Sequence, residues 1–157
     1  MDLGTEFQPV IDDPFITDPS SVRAVACVSG KWYYELLKAR QTNPDWTNNI
    51  AIVRIEELCP FPYFRLREVL ERYPNANEVC WCQEEPQNCG GWYHVNERLK
   101  ETMEQLGWRN LVYFGHRHSP MPAPGSTLVH KNSQALLIEG FKNLCNGETE
   151  AWPLCRA

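Results

Sequence analysis

Four short apolar runs, each followed by a segment of helical periodicity, constrain this chain more than any other feature. "VRAVACV" (Val22–Val28), "NIAIVRI" (Asn49–Ile55), "EVCWC" (Glu78–Cys82) and "LVYFG" (Leu111–Gly115) are nearly continuous in apolar and β-branched residues. They predict strands buried on both faces rather than on one. Helical stripes follow them: Tyr33, Leu36 and Leu37; then Leu66, Val69, Leu70 and Tyr73; then Trp92, Val95, Leu99, Met103 and Leu106; and finally Leu137, Ile138, Phe141 and Leu144. The strands begin roughly 25–35 residues apart, the length of a strand–helix unit. The expected fold is a three-layer α/β domain, with a mostly parallel sheet, helices on both faces and right-handed crossovers.

One consequence bears on function. In a parallel sheet, every segment that follows a strand lies at the same edge. Ser29-Gly30, "EELCPFP", "QEEPQNCGG" and "HRHSPMPAPG" are therefore expected together at the carboxyl edge, where open α/β sheets receive ligands or partners. Residues 1–20 read as an extended arm, because Pro9, Pro14 and Pro19 stop a helix from persisting. Residues 21–145 form the α/β domain, and residues 146–157 an irregular tail that suits a docking segment.

Composition narrows the classes. The formal charge of −5 and the lack of a Lys/Arg cluster argue against a nucleic-acid surface. No apolar run approaches the roughly 20 residues of a membrane span. The acidic, proline-bearing start has neither the apolar core of a signal peptide nor the arginines of a transit peptide. Of the seven cysteines, Cys27, Cys80 and Cys82 fall in strand-like runs, where a cysteine acts as a small hydrophobe. An odd count and an apolar core of this size favour a reducing compartment.

Each candidate motif has a structural and a chemical reading. "SGK" (Ser29–Lys31) stands between a strand and a helix, as a phosphate loop does. Val25 and Trp32 occupy the positions where such a loop needs a glycine and a hydroxyl, so it reads as a plain helix start. Cys80 and Cys82, with Cys89 and His94 nearby, have a one-residue spacer on a core strand, which suits packing rather than zinc. Glu84 and Glu85 are adjacent on an extended segment and point to opposite faces, a poor acid–base pair. They read as carboxylates that hold the following loop by accepting backbone N–H groups, with Gly90-Gly91 allowing a close turn into the helix. His116, Arg117 and His118, with His130 beyond the loop, are either solvated loop residues or an anion-receiving cluster. No metal ligands and no catalytic residues are assigned; neither a nucleophile elbow nor a Ser-His-Asp order is present.

The loops taken in order carry a resemblance. "IVRIEELCPFP", "WCQEEPQNCGGW" and "YFGHRHSPMPAPGSTLVH", together with "GTEFQPVI" (Gly4–Ile11), resemble the C-terminal domain of the thiamine-diphosphate-dependent first component of 2-oxoacid dehydrogenase complexes. The branch is that of 2-oxoglutarate and 2-oxoadipate dehydrogenases, and "EELCPFP" leans toward the latter. The match runs from Gly4 to Leu144, and "EEPQN" (Glu84, Glu85, Pro86, Gln87, Asn88) is its most specific motif.

The resemblance implies a transketolase C-terminal-like fold and a dimer, mitochondrial in eukaryotes. It implies dihydrolipoyl acyltransferase and dihydrolipoyl dehydrogenase as partners, and an effector or loop-shaping role for Glu84, Glu85, Gln87, Asn88, Gly90, Arg117, His118 and His130. In bacterial relatives this domain can hold a nucleotide or acetyl-coenzyme A, and an anion here is expected at Arg117, His118 or the Gly90-Gly91 helix start. The family's thiamine diphosphate and magnesium are held elsewhere, through a Gly-Asp-Gly motif and a later Asn-Asn; this chain has Asn48-Asn49 but no Gly-Asp-Gly. It departs from the family further at His116, where an arginine is usual, and at Glu97, where a proline commonly precedes Arg98-Leu99. The expected function is that of a structural and regulatory domain, inactive alone and binding no cofactor by itself. The alternative is a stand-alone, non-catalytic subunit of a larger mitochondrial assembly.

Overall fold

The computed structural model describes residues 5–43 and 49–145. Gly4, Asn48 and the 146–157 tail, each of which carries an expectation above, lie outside the described residues. Five strands form one sheet: β1 (Val10–Ile11), β2 (Ala24–Val28), β3 (Ile50–Ile55), β4 (Glu78–Pro86) and β5 (Asn110–His116). Among the described residues four α-helices accompany them, α1 (Trp32–Thr42), α2 (Tyr63–Leu70), α3 (Trp92–Gln105) and α4 (Thr127–Cys145), with one short 3-10 turn at Pro19–Ser21. The strand order is β1-β3-β2-β4-β5, with β2 to β5 parallel and β1 antiparallel to β3.

Alternation along each strand builds two cores. Val25, Cys27, Ala51, Val53, Val79 and Trp81 face α2 and α3, meeting Leu66, Val69, Leu70, Val95, Leu99 and Met103. Ala24, Ala26, Val28, Ile50, Ile52, Cys80 and Cys82 face α1 and α4, meeting Trp32, Leu36, Leu137, Phe141 and Leu144. The sheet is sealed on both faces, as its continuous apolar runs require. Each fully buried aliphatic side chain contributes about 1.5–3 kcal/mol against leaving it in water. The cysteines belong to this packing. Cys80 and Cys82 share a face with their sulfurs 3.6 Å apart. Burial pushes the Cys27 thiol up and raises that of Cys145 to about 12.

Three elements differ from the sequence reading. The third predicted strand, Glu78–Cys82, runs on to Pro86, so Glu84 and Glu85 lie within it at a register irregularity against β5. The last helix starts at Thr127, well before its apolar stripe. The 1–20 segment supplies the antiparallel edge strand β1.

That edge strand covers only Ile55 and Arg54 of β3. The ladder groups beyond it need another partner, since an unpaired buried N–H is costly. Asp13 provides it. Its carboxylate accepts from Ile52 N at 2.7 Å and from the Arg40 guanidinium of α1 at 2.6 Å, while Arg40 also donates to Ile50 O at 3.3 Å. Both side chains are almost wholly buried, at 1% and 5% exposure. Removing one partner leaves the other charge buried and uncompensated. Asp13→Ala is therefore expected to lower the unfolding free energy by about 3–5 kcal/mol in urea titration; a loss below about 1 kcal/mol would show that the clasp is dispensable.

Candidate functional site

The carboxyl edge is organised by a residue that the sequence reading passed over. Gln83 lies on β4 between the strand core and the glutamate pair, 4% exposed. Its Oε1 accepts from Trp81 Nε1 at 2.9 Å and from the backbone N of Trp92, the first residue of α3, at 3.0 Å. Its Nε2 shares its hydrogens among the carbonyls of Glu85 (3.2 Å), Pro86 (3.1 Å) and Cys89 (2.9 Å). A carboxylate could serve the two donors but would repel the three carbonyls. The loop is pinned by an amide, and this corrects the expectation that Glu84 or Glu85 does so. The signal in the sequence was its position, two residues beyond Trp81 and so on the same strand face.

Gly90 is fitted against this amide, and Gly115 against the main chain of Gln83 and the Tyr113 ring. Gly90 has φ +66, and a Cβ there would sit 3.1 Å from Gln83 Oε1 and from the Glu85 side chain. The expected open helix start is thus partly occupied: the N–H of Trp92 already has an acceptor. In β5, a Cβ on Gly115 would lie 2.3 Å from Tyr113 Oη and 2.9 Å from Gln83 O, which leaves no room for any side chain.

Two further contacts join the β4–α3 and β5–α4 loops. Gln87 N donates to His116 O at 2.9 Å. Asn88 pairs with Ser119 in both directions: Nδ2 donates to the Ser119 carbonyl, Oδ1 accepts from its N–H, each at 2.9 Å. The side-chain amide copies the pairing of a strand backbone. Gln87 and Asn88 thus tie the two loops together, and Gly90 supplies the left-handed turn between them and α3.

The loops enclose a groove of about 510 Å³ between the end of β4, the proline-rich segment and α4. Met121, Pro122, Pro124 and Val129 form its apolar side; Glu84, Glu85, His116, His130 and Gln134 supply polar groups. Glu84 Oε1 accepts from Gln134 Nε2 at 2.9 Å and lies 3.8 Å from His130 Nε2. Burial lowers the pKa of His116; the Glu84 carboxylate opposes that shift and His130 adds to it. Glu84 and His130 of the candidates meet here. Glu85 is exposed at the margin, and Arg117 and His118 are exposed on the loop without lining the groove. Among the described residues, no three His, Cys, Asp or Glu side chains gather as a metal site. His94, weighed as a zinc ligand, instead sets a ring nitrogen 2.7 Å from the Leu58 carbonyl.

The sequence model of the "2-oxoglutarate dehydrogenase C-terminal" family matches residues 1–141. The chain belongs to that family. It is 44% identical over 142 residues to the "2-oxoadipate dehydrogenase complex component E1" of Danio rerio, covering 90% of this chain and 15% of that protein. It is 41% identical over 121 residues to the "2-oxoglutarate dehydrogenase E1 component" of Coxiella burnetii, covering 77% and 13%. Against the "2-oxoglutarate dehydrogenase E1/E2 component" of Corynebacterium glutamicum the figures are 42% over 135 residues, 86% and 11%. The chain thus spans about a seventh or less of the curated relatives it matches. Among solved structures, a "Split gene transketolase, inactive beta4 tetramer" superposes with a TM-score of 0.57 at 14% identity, covering 99% of this chain and 46% of that one. That likeness shows the transketolase-like α/β fold.

Held below its ordinary value, the His116 imidazole stays neutral in the folded protein while the unfolded chain takes up a proton. Its contribution is thus complete above about pH 6.5 and is lost as pH falls from there toward the folded pKa. We expect the stability difference between wild type and His116→Gln to shrink on going from pH 7.5 to 5.5, measured by urea unfolding. A constant or growing difference would contradict the burial of a neutral ring.

Proposed function

We propose that this chain is the C-terminal structural and regulatory domain of the first component of a 2-oxoglutarate or 2-oxoadipate dehydrogenase. In that role it supports dimerisation and shapes the rim of the active site or of an effector site, and it turns over no 2-oxoacid by itself. The observation that carries this reading is the carboxyl edge: the "EEPQN" motif is built as a rigid rim, its loops locked by Gln83 and by the paired Asn88 and Ser119. A groove with one apolar side and a Glu84–His116–His130 cluster opens beside that rim. Such a surface, apolar on one side and polar on the other, suits contact with neighbouring domains.

The complete enzyme's thiamine diphosphate is bound through magnesium, which needs several oxygen ligands converging on one point. The Gly-Asp-Gly motif that the resemblance associates with that site does not occur in this sequence, and no step of catalysis is assigned to the described residues. Decarboxylation of the 2-oxoacid and acylation of a lipoyl group belong, in this reading, to other domains. Partners are the remaining domains of the dehydrogenase, a dihydrolipoyl acyltransferase and a dihydrolipoyl dehydrogenase; the compartment in a eukaryote is the mitochondrial matrix.

The test replaces the C-terminal domain of the Danio rerio relative with this chain. The chimera is expected to oxidise 2-oxoadipate or 2-oxoglutarate in the assembled complex, and the chain alone to release no carbon dioxide from either. Turnover by the isolated chain, or a folded chimera without activity, would contradict the proposal.

A further inference from the structure

Among the described residues, the amino-terminal half of α4 buries nothing. From Thr127 to Leu136 every residue is at least partly exposed, and burial begins at Leu137. A stretch of this length is not a stable helix by itself in water, because helices in proteins are held mainly by packing of an apolar face. The apolar face is present. Val129, Ser133 and Leu136 follow one another at helical spacing and share one side. Leu128, Val129 and Leu136 are each more than half exposed, as is Met121 of the proline-rich segment. Val129, Ser133 and Met121 also line the groove at the carboxyl edge, so helix ridge and groove form one continuous surface. Clustered exposed apolar side chains of this kind mark a contact site.

The charge of this surface selects what covers it. No lysine or arginine is among the described residues that line the groove, and its formal charges are the carboxylates of Glu84 and Glu85. Glu84 uses Oε1 for Gln134 and His130 and leaves Oε2 open. Glu85 is exposed, and its carboxylate enters no ion pair among the described residues. A wholly apolar partner would take these carboxylates from water without a counter-charge, which is costly. A second copy of the same surface, packed about a two-fold axis, would bring two more carboxylates and no lining cation. A partner that carries a cation meets both demands.

We propose that the groove and the first half of α4 receive an amphipathic helix of a neighbouring domain. Its apolar stripe lies against Met121, Val129 and Leu136, and one lysine or arginine at the border of that stripe meets the carboxylates of Glu84 and Glu85. A helix fits because the receiving surface is a helical ridge beside a groove, which takes anchors at positions i, i+3, i+4 and i+7 of the incoming element. An incoming strand does not fit, since Pro122 and Pro124 on the other wall have no N–H to offer a ladder. This names the partner of the groove already described and rests on its reading as a domain contact.

The full chain is titrated with three synthetic peptides of about 20 residues, long enough to be helical alone. They share a leucine stripe on an alanine–glutamine background and differ at one border position, which holds lysine, glutamine or glutamate. The methyl resonances of Leu128, Val129 and Leu136 in 1H–13C spectra report docking. The lysine peptide is expected to move them saturably, the glutamine peptide to bind about fivefold more weakly, as loss of a partly exposed ion pair requires, and the glutamate peptide more weakly still. Joint Glu84→Gln and Glu85→Gln substitution is expected to level the three peptides, and Leu136→Asp to abolish binding of all. Phe64→Ala, an exposed apolar residue of α2 on the opposite side of the sheet, is expected to change nothing. Equal affinity of the three peptides for wild type, or silence of these methyls, would overturn the proposal without recourse to any variant. Movement of the methyls on concentrating the chain alone would make a second copy the occupant and overturn it too. Turnover by the chimera reads the dehydrogenase role and this titration the docking surface, so failure of one is distinguishable from failure of the other.

Discussion

The end of β4 has to pass from a sheet with no access to water into a helix, within a few residues, and the buried carboxamide of Gln83 makes that passage possible. A strand end carries carbonyls, a helix start carries N–H groups, and burial of either kind unpaired is costly. A side-chain amide is one of the few groups that presents an acceptor to the second and donors to the first. Gln83 does both at once, and gathers the Trp81 indole as well. The close approach at Gly90 follows from it, as does the fixed position of the loop whose Asn88 pairs with Ser119. The rim that the family motif forms is thus a consequence of one polar group inside an apolar sheet.

The same logic operates at the far edge of the sheet. There β1 is too short to cover β3, and Asp13 completes the edge by taking the N–H of Ile52 while neutralising Arg40. Both solutions place a polar side chain where a longer strand would have had backbone. They differ in cost: the Gln83 amide is neutral, whereas the Asp13–Arg40 pair must offset the desolvation of two charges. The Asp13 clasp joins the amino-terminal segment to the domain, and the segment is a working part of the sheet rather than an appendage.

How much of this could be read beforehand depended on periodicity. The four parallel strands and the buried faces of their helices were legible because burial on both sides of a sheet leaves unbroken apolar runs such as Val25–Val28 and Ile50–Val53. β1 was not, since two residues carry no pattern, and Asp13 and Arg40 are 27 residues apart in sequence. The first turns of α4 escaped for the opposite reason: Leu128, Val129 and Leu136 are apolar yet exposed, so the stripe starts only at Leu137. At the site, Glu84 and Glu85 drew attention because charge is conspicuous, while neutral Gln83 did not. Arg117 and His118 were grouped with His130 by sequence proximity, but the chain turns so that His116 joins Glu84 and His130 and the other two remain outside the groove.

The central claim, that Gln83 locks the turn from β4 into α3, is tested most directly by native-state hydrogen exchange at Trp92 N–H and Trp81 Nε1–H. Both hydrogens lie on one buried oxygen, so they are released together only when the turn opens. The account predicts that both exchange with the free energy of global unfolding, in step with core amides of β2 such as Ala26. Exchange of Trp92 N–H by local opening, several kcal/mol more readily than Ala26, would contradict it.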